Sequence, residues 1–189
     1  MKLVKKFIES DTEIPGLSIV KRLPSADNRG LFERLFCTTE INAWSNRPIK
    51  QINRSKTKLK GVIRGLHFQK KPHSEFKLIT CLSGSVMDVT VDLRKKSPSF
   101  GKSFAIRLSE ANDISLLVPE GCAHGFQTLT NDVEMLYLHS TSYAAQYEDG
   151  INSLDETLDI NWPLACVERS ERDKTLKTFA DYRDKQIEV

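Results

Sequence analysis

Between residues 60 and 143 the chain alternates short apolar runs with turn residues. Seven segments carry strand character: 61–68, 76–82, 85–93, 103–108, 114–118, 125–129 and 133–143. Ser83-Gly84, Ser97-Pro98-Ser99 and Thr130-Asn131-Asp132 supply turn chemistry between them. Alternation is strict in 86–93, where Met87, Val89, Val91 and Leu93 share one face and Asp88, Thr90 and Asp92 the other. A polar face in the middle of such an array either meets solvent or lines a cavity. Helical signals are confined to the flanks. Residues 39–44 read as a short helix, and Ser170-Glu171-Arg172-Asp173 reads as a helix start before a charged stretch. Many evenly spaced strands with short terminal helices predict an all-β antiparallel barrel or jelly roll. No linker, repeat or low-complexity segment interrupts it, so residues 1–189 read as one domain.

Composition narrows the function classes. A chain of 189 residues can bury a sizeable core, and 39% hydrophobic with 28% charged residues is ordinary for a soluble protein. The net charge of +3 is small and its basic residues are interleaved with acids, which argues against nucleic acid but leaves room for a local phosphate pocket. Cys37, Cys81, Cys122 and Cys166 form no C-x-x-C pair, against a zinc ribbon or a disulfide framework and in favour of buried free thiols. The basic start of the chain lacks an apolar h-region, and no apolar run is long enough to span a bilayer. The expectation is a soluble, cytoplasmic protein without membrane contact. Neither a G-x-G-x-x-G nor a P-loop follows a strand, so no dinucleotide or nucleotide-hydrolase site is indicated.

Two stretches concentrate the chemistry: residues 64–69 (RGLHFQ) and 119–126 (PEGCAHGF). Pro119 pre-sets φ and Gly121 tolerates positive φ, a turn that launches a strand carrying His124. In a regular strand Arg64 and His67 face opposite sides; Gly65 permits a bulge that aims both into one cavity. Lys77, set in an apolar strand, reads either as a cation facing an anion or as an edge-strand gatekeeper. Tyr137, His139, Thr141 and Tyr143 share one parity. Aromatic residues at that spacing are more often core than site, yet a phenol in a cavity suits a proton donor. His67, His73, Glu75 and His124 are metal-ligand types, but the compact His-x-His pattern is absent and His73 and Glu75 sit in a lysine- and proline-bearing loop.

Taken in order, 27–32 (DNRGLF), 51–55 (QINRS), 61–69 (GVIRGLHFQ), Lys77-Leu78, 88–94, 97–101, 118–126, Leu136-Tyr137 and 170–173 resemble the dTDP-4-dehydrorhamnose 3,5-epimerase family over about residues 16–173. The Pro-x-Gly-x-x-His corner also resembles the second signature of cupin barrels. The resemblance implies a cupin jelly roll, a homodimer that exchanges N-terminal strands, a nucleotide-diphosphate sugar as substrate, and catalysis without metal or cofactor. It makes His67 the base, Tyr137 the acid, and Lys77 and Arg64 the groups that hold developing negative charge. Asp173 would orient His67, beside its other reading as a cap partner of Ser170; Asp88 is a further candidate partner for His67. Arg29 and Arg64 would lie near the diphosphate, Gln51 and Asn53 near the ligand, and Tyr143 stacked on the base. His124 would contact substrate, with Glu148 and Arg172 at the rim. Arg34 stands where thymidine-specific members have a glutamate, and Ser74-Glu75-Phe76-Lys77 replaces a glutamine-glycine version. The nucleotide therefore stays open among dTDP, CDP and GDP. Rival readings are a 3,4-ketoisomerase of the same fold, a metal-dependent cupin oxygenase, and a non-catalytic sugar-nucleotide-binding cupin.

Overall fold

The computed structural model describes residues 5–184. Its strands are β1 (Phe7–Asp11), β2 (Ser18–Arg22), β3 (Ser25–Asp27), β4 (Gly30–Phe32), β5 (Gln51–Thr57), β6 (Ile63–Gln69), β7 (Lys77–Ser83), β8 (Ser85–Asp92), β9 (Ser103–Ser109), β10 (Ile114–Val118), β11 (Cys122–Thr128), β12 (Val133–His139) and β13 (Glu148–Gly150). They form a six-stranded sheet, β1-β2-β10-β7-β12-β5, and a five-stranded sheet, β13-β6-β11-β8-β9, with β3 and β4 as a separate hairpin. Every pairing between named strands is antiparallel.

Three apolar clusters explain the strand sequences. Ile79, Cys81, Val86, Leu108, Leu116, Phe126 and Met135 pack between the sheets. Phe7, Val20, Trp44, Phe76, Leu78, Leu117 and Leu138 cover the outer side of the six-stranded sheet. Leu66, Phe68, Val89, Val91 and Ala123 lie on the outer side of the other sheet, sealed by Ile151, Leu158 and Tyr182. Central strands buried on both faces lose clean alternation, which is why β7 reads as a continuous apolar run. In β8 the parity is inverted from the usual arrangement. Val86 shares its face with Asp88, Thr90 and Asp92, so the polar face is the interior one, while Val89 and Val91 pack outward beneath the C-terminal segment.

Several boundaries differ from the sequence reading. Residues 7–57 hold five strands that the hydrophobic pattern did not indicate, because β5 is a polar edge strand and β3 and β4 are fully exposed. β11 begins at Cys122 rather than 125. β12 ends at His139, beyond which Ser140 and Phe76 exchange hydrogen bonds and Thr141 donates to the Ser74 carbonyl at 3.0 Å. The expected helix at 39–44 shrinks to one 3-10 turn, Asn42–Trp44, with the Asn42 and Ala43 N–H groups donating to Glu9. The predicted C-terminal helix start is α1 (Glu171–Lys174), capped by Ser170 and followed by α2 (Phe179–Asp184). Of the cysteines, Cys81 and Cys122 are buried as expected; Cys37 is half-buried and Cys166 exposed.

Candidate active site

The site begins with a bulge. His124 pairs with His67 and Phe126 with Arg64, so a two-residue step on β11 opposes a three-residue step on β6. Gly65 makes this feasible. Its φ is +110°, and an added Cβ would lie 2.7 Å from the His124 carbonyl oxygen and 2.8 Å from Gly125 Cα. The outcome is that Arg64 and His67 line the same cavity, of about 1070 Å³. The cavity is also lined by Gln51, Asn53, Lys77, His124, Tyr137, Tyr143, Glu148, Arg172 and Asp173.

His67 is oriented from behind. Its Nε2 lies 2.7 Å from Asp173 Oδ1, while Asp173 Oδ2 accepts the Gly65 N–H at 3.1 Å. Burial favours the neutral acid at Asp173, but the His67 contact, the Gly65 N–H and Ser170 outweigh it and hold the carboxyl below its usual range. The Asp173 N–H meanwhile donates to Ser170 Oγ at 3.1 Å, so the residue that holds His67 is itself fixed by the Ser170 cap of α1. With Nε2 engaged, Nδ1 is the nitrogen left for chemistry.

Lys77 is no edge residue. β7 lies between β10 and β12, and Lys77 is only 8% exposed. Its Nζ is 3.0 Å from Glu75 Oε1 and donates to the His67 carbonyl at 3.4 Å. Glu75 is bridged on its other oxygen by His139 Nδ1 at 2.7 Å. Burial pushes the Glu75 carboxyl up, but the Lys77 charge and the His139 contact more than offset this and leave it lowered. His124 forms a third such pair, its Nε2 2.9 Å from both oxygens of the fully buried Asp88. Asp88 therefore serves His124 and not His67, a correction to the sequence reading: Asp173 already occupies the His67 nitrogen. Burial raises the Asp88 pKa, against the pull of His124.

Tyr137 faces His67 from the opposite sheet. Its hydroxyl is 3.1 Å from Ser55 Oγ, and burial drives its pKa well above that of an ordinary phenol, keeping it protonated. At the mouth, the Tyr143 hydroxyl donates to Glu148 at 2.6 Å, and Glu148 pairs with Arg172 at 2.7 Å. The Tyr143 N–H donates to Gln51 Oε1 at 2.9 Å, and Gln51 donates to Asn53 at 3.1 Å.

Arg29 and Arg34 do not reach the cavity of their own chain. Arg29 sits on the β3–β4 hairpin, clamped by Asp27 at 2.5 Å with its side chain 90% exposed. Arg34 pairs with Glu40, which also accepts the Lys6 N–H. Both belong to an N-terminal segment whose hairpin strands, among the described residues, form no ladder with either sheet. His73 stacks on Tyr147 with centroids 4.5 Å apart, away from the cavity lining. Among the described residues, no group of three His, Cys, Asp or Glu is placed to hold a metal ion.

Ser55, Thr57 and the Glu75–His139 pair were not assigned from sequence. Gln51, Asn53, Ser55 and Thr57 share one parity and are all polar, the pattern of a strand face that meets solvent or lines a cavity, and all four line the cavity. Thr57 accepts from Arg64 Nε at 2.9 Å and so aims the guanidinium.

The sequence profile of the dTDP-4-dehydrorhamnose 3,5-epimerase family matches residues 11–181. A dTDP-4-dehydrorhamnose 3,5-epimerase from Shigella flexneri is 38% identical over 172 residues, 90% of this chain and 94% of that protein. Among solved structures, NovW, a 4-keto-6-deoxy sugar epimerase from the novobiocin biosynthetic gene cluster of Streptomyces spheroides, superposes with a TM-score of 0.89 at 32% identity, covering 97% of this chain and 94% of that one. The RmlC dTDP-6-deoxy-D-glucose-3,5-epimerase of Legionella pneumophila, in complex with dTDP-4-keto-L-rhamnose, gives 0.87 at 34% identity, covering 92% and 93%. With this likeness running through nearly the whole chain, and with the barrel expected of it in place, the chain belongs to the dTDP-4-dehydrorhamnose 3,5-epimerase family.

Proposed function

We propose that the protein inverts the carbons flanking the ketone, C3 and C5, of a nucleoside-diphosphate 4-keto-6-deoxyhexose. The observation that carries this is the placement of His67 and Tyr137 on facing sheets of one cavity, with the Lys77 ammonium between the β6 and β12 walls. A C–H beside a ketone is acidic because its anion delocalises onto oxygen. Inversion needs a base on one face, an acid on the other, and positive charge at the oxygen.

In this reading His67 takes the proton through Nδ1 while Asp173 holds the Nε2–H and stabilises the imidazolium. Lys77 and Arg64 stabilise the enolate oxygen and the diphosphate. Tyr137, kept neutral by burial, returns a proton to the opposite face. The half-exposed Tyr143 ring is placed to stack on the base, with Gln51, Asn53, Glu148 and Arg172 around it.

The hairpin supports a quaternary reading as well. Leu31 and Phe32 are 61% and 71% exposed beside Arg29 on a hairpin whose strands, among the described residues, form no ladder with either sheet. In this reading two chains exchange these segments, and each Arg29 serves the partner subunit's ligand. The test is incubation of dTDP-4-keto-6-deoxyglucose with the protein in deuterated water, followed by NMR. Inversion with deuterium at the carbons flanking a retained C4 ketone supports the reading. A carbonyl moved to C3 supports a ketoisomerase instead, and no change with any of the dTDP, CDP and GDP sugars would overturn catalysis.

A further inference from the structure

One pair of ionisable groups in the cavity has no part in the chemistry above. His139 lies two residues beyond Tyr137 on β12, its ring centroid 6.3 Å from the tyrosine ring and inclined by 30°. This is the spacing of neighbours on one face of a strand. Both line the cavity. Glu75 holds His139 Nδ1 at 2.7 Å, and the contact on Nε2 is Asn53 Nδ2 at 3.4 Å, too long for a strong hydrogen bond. His139 is thus built like His67, a carboxylate-oriented imidazole in the cavity wall with its second nitrogen beside Asn53, another lining residue, but on the opposite sheet. The groups around it are Tyr137 on β12, Gln51 and Asn53 on β5, and Glu75 with Lys77 at the start of β7.

A single acid poses a geometric problem for a dual epimerase. C3 and C5 lie on either side of C4, so Tyr137 alone must be offered each carbon in turn. We propose that His139 is a second proton donor on the Tyr137 wall, so that each of the two carbons flanking the ketone has its own acid. The proposal rests on the epimerase reading. In the step, the enolate C=C electron pair forms the new C–H bond as the His139 Nε2–H bond breaks and the C4 ketone re-forms. Neutral His139 keeps its Nδ1–H on Glu75, and the abstracted proton remains on His67. Both imidazoles then re-equilibrate with water. The Glu75 carboxylate lies against His139 Nδ1, and its bond to Lys77 keeps that carboxylate charged.

The alternative is that His139 only braces Glu75 and hence Lys77. Configuration and deuterium content at C3 and C5, read separately by NMR, distinguish the two. His139→Gln is the main variant. His139→Phe, which keeps a ring beside Tyr137 but carries no proton, is the companion, and circular dichroism selects the one that is folded. The parent is expected to invert and label both carbons. The variant is expected to slow inversion at one carbon by about 10²-fold while deuterium still enters there through His67, and to leave the other carbon inverting. Tyr137→Phe should give the complementary pattern. Equal loss at both carbons, unchanged inversion at both, inversion of only one carbon by the parent, or failure of both variants to fold would each overturn the proposal. Absence of any inversion or label in the parent would instead overturn the epimerase reading.

Discussion

His67 and Asp173, 106 positions apart in the chain, meet at 2.7 Å between Nε2 and Oδ1. The aspartate comes from a four-residue helix whose N-cap serine holds its backbone N–H, and its second oxygen is fixed by the Gly65 N–H. One carboxylate therefore ties the C-terminal segment to the bulge that presents His67. Its loss should remove both the tautomer control of the base and a brace on the bulge.

Asp173→Asn should lower kcat by about 10²- to 10⁴-fold, because an amide can offer its N–H to Nε2 and thereby stabilise the wrong tautomer. KM should change far less, since Asp173 faces the base rather than the diphosphate. Steady-state kinetics would check this, and a large rise in KM at constant kcat would contradict it.

Gly65→Ala should disable the site through the backbone. The new methyl meets main-chain atoms of His124 and Gly125 at a φ of +110°, where neither neighbour can move without breaking the β6–β11 pairing. A destabilisation of about 1–3 kcal/mol is expected, with activity lost in the fraction that stays folded. Thermal melts and single-turnover assays report the two effects separately.

Lys77→Met removes the buried cation and leaves Glu75 with His139 alone. Turnover should fall by about 10²- to 10³-fold, the usual cost of losing a group that stabilises an oxyanion. Adding Glu75→Gln should recover part of the melting temperature, because a buried carboxylate that has lost its lysine partner is no longer required, but not the activity. Recovery of turnover in the double variant would show that Lys77 serves only Glu75.

Acid should destabilise the protein through Asp173 and Glu75, whose folded pKa values lie below their unfolded ones. Their contribution is fully present above the unfolded carboxylate range, about pH 4, and is lost as the pH falls through the lower folded values. Asp88, with its pKa raised, acts in the opposite sense and favours the folded state at lower pH. Asp173→Asn should accordingly show a shallower fall in melting temperature below about pH 4 than the parent. Parallel curves for the two proteins would rule out this linkage.

Phe32→Asp should weaken the proposed strand exchange, since it places a charge on a residue that a partner subunit would bury. Light scattering is expected to show a dimer for the parent and a monomer-rich population for the variant, with reduced activity. A variant that remains fully dimeric would place the interface elsewhere.

What could be read from the residues alone followed from local physical rules. The strands from β6 to β12 announce themselves by β-branched and apolar runs punctuated by Gly, Pro and Asn, and the parity of Tyr137 and His139 is inherent in a two-residue repeat. The bulge at Gly65 was legible because Arg64 and His67 could share a side only if the strand gained a residue there. Sequence alone left the polar face of β8 undecided between solvent and cavity. Contacts far along the chain decided it: the C-terminal residues Ile151, Leu158 and Tyr182 seal the apolar face, so Asp88 and Thr90 turn inward. The same holds for the pairing of histidines with carboxylates. His67 takes Asp173, His124 takes Asp88 and His139 takes Glu75 because strand register and sheet order set which side chains converge. Registers join residues scores of positions apart and no local propensity encodes them, so the choice of partner belongs to tertiary structure.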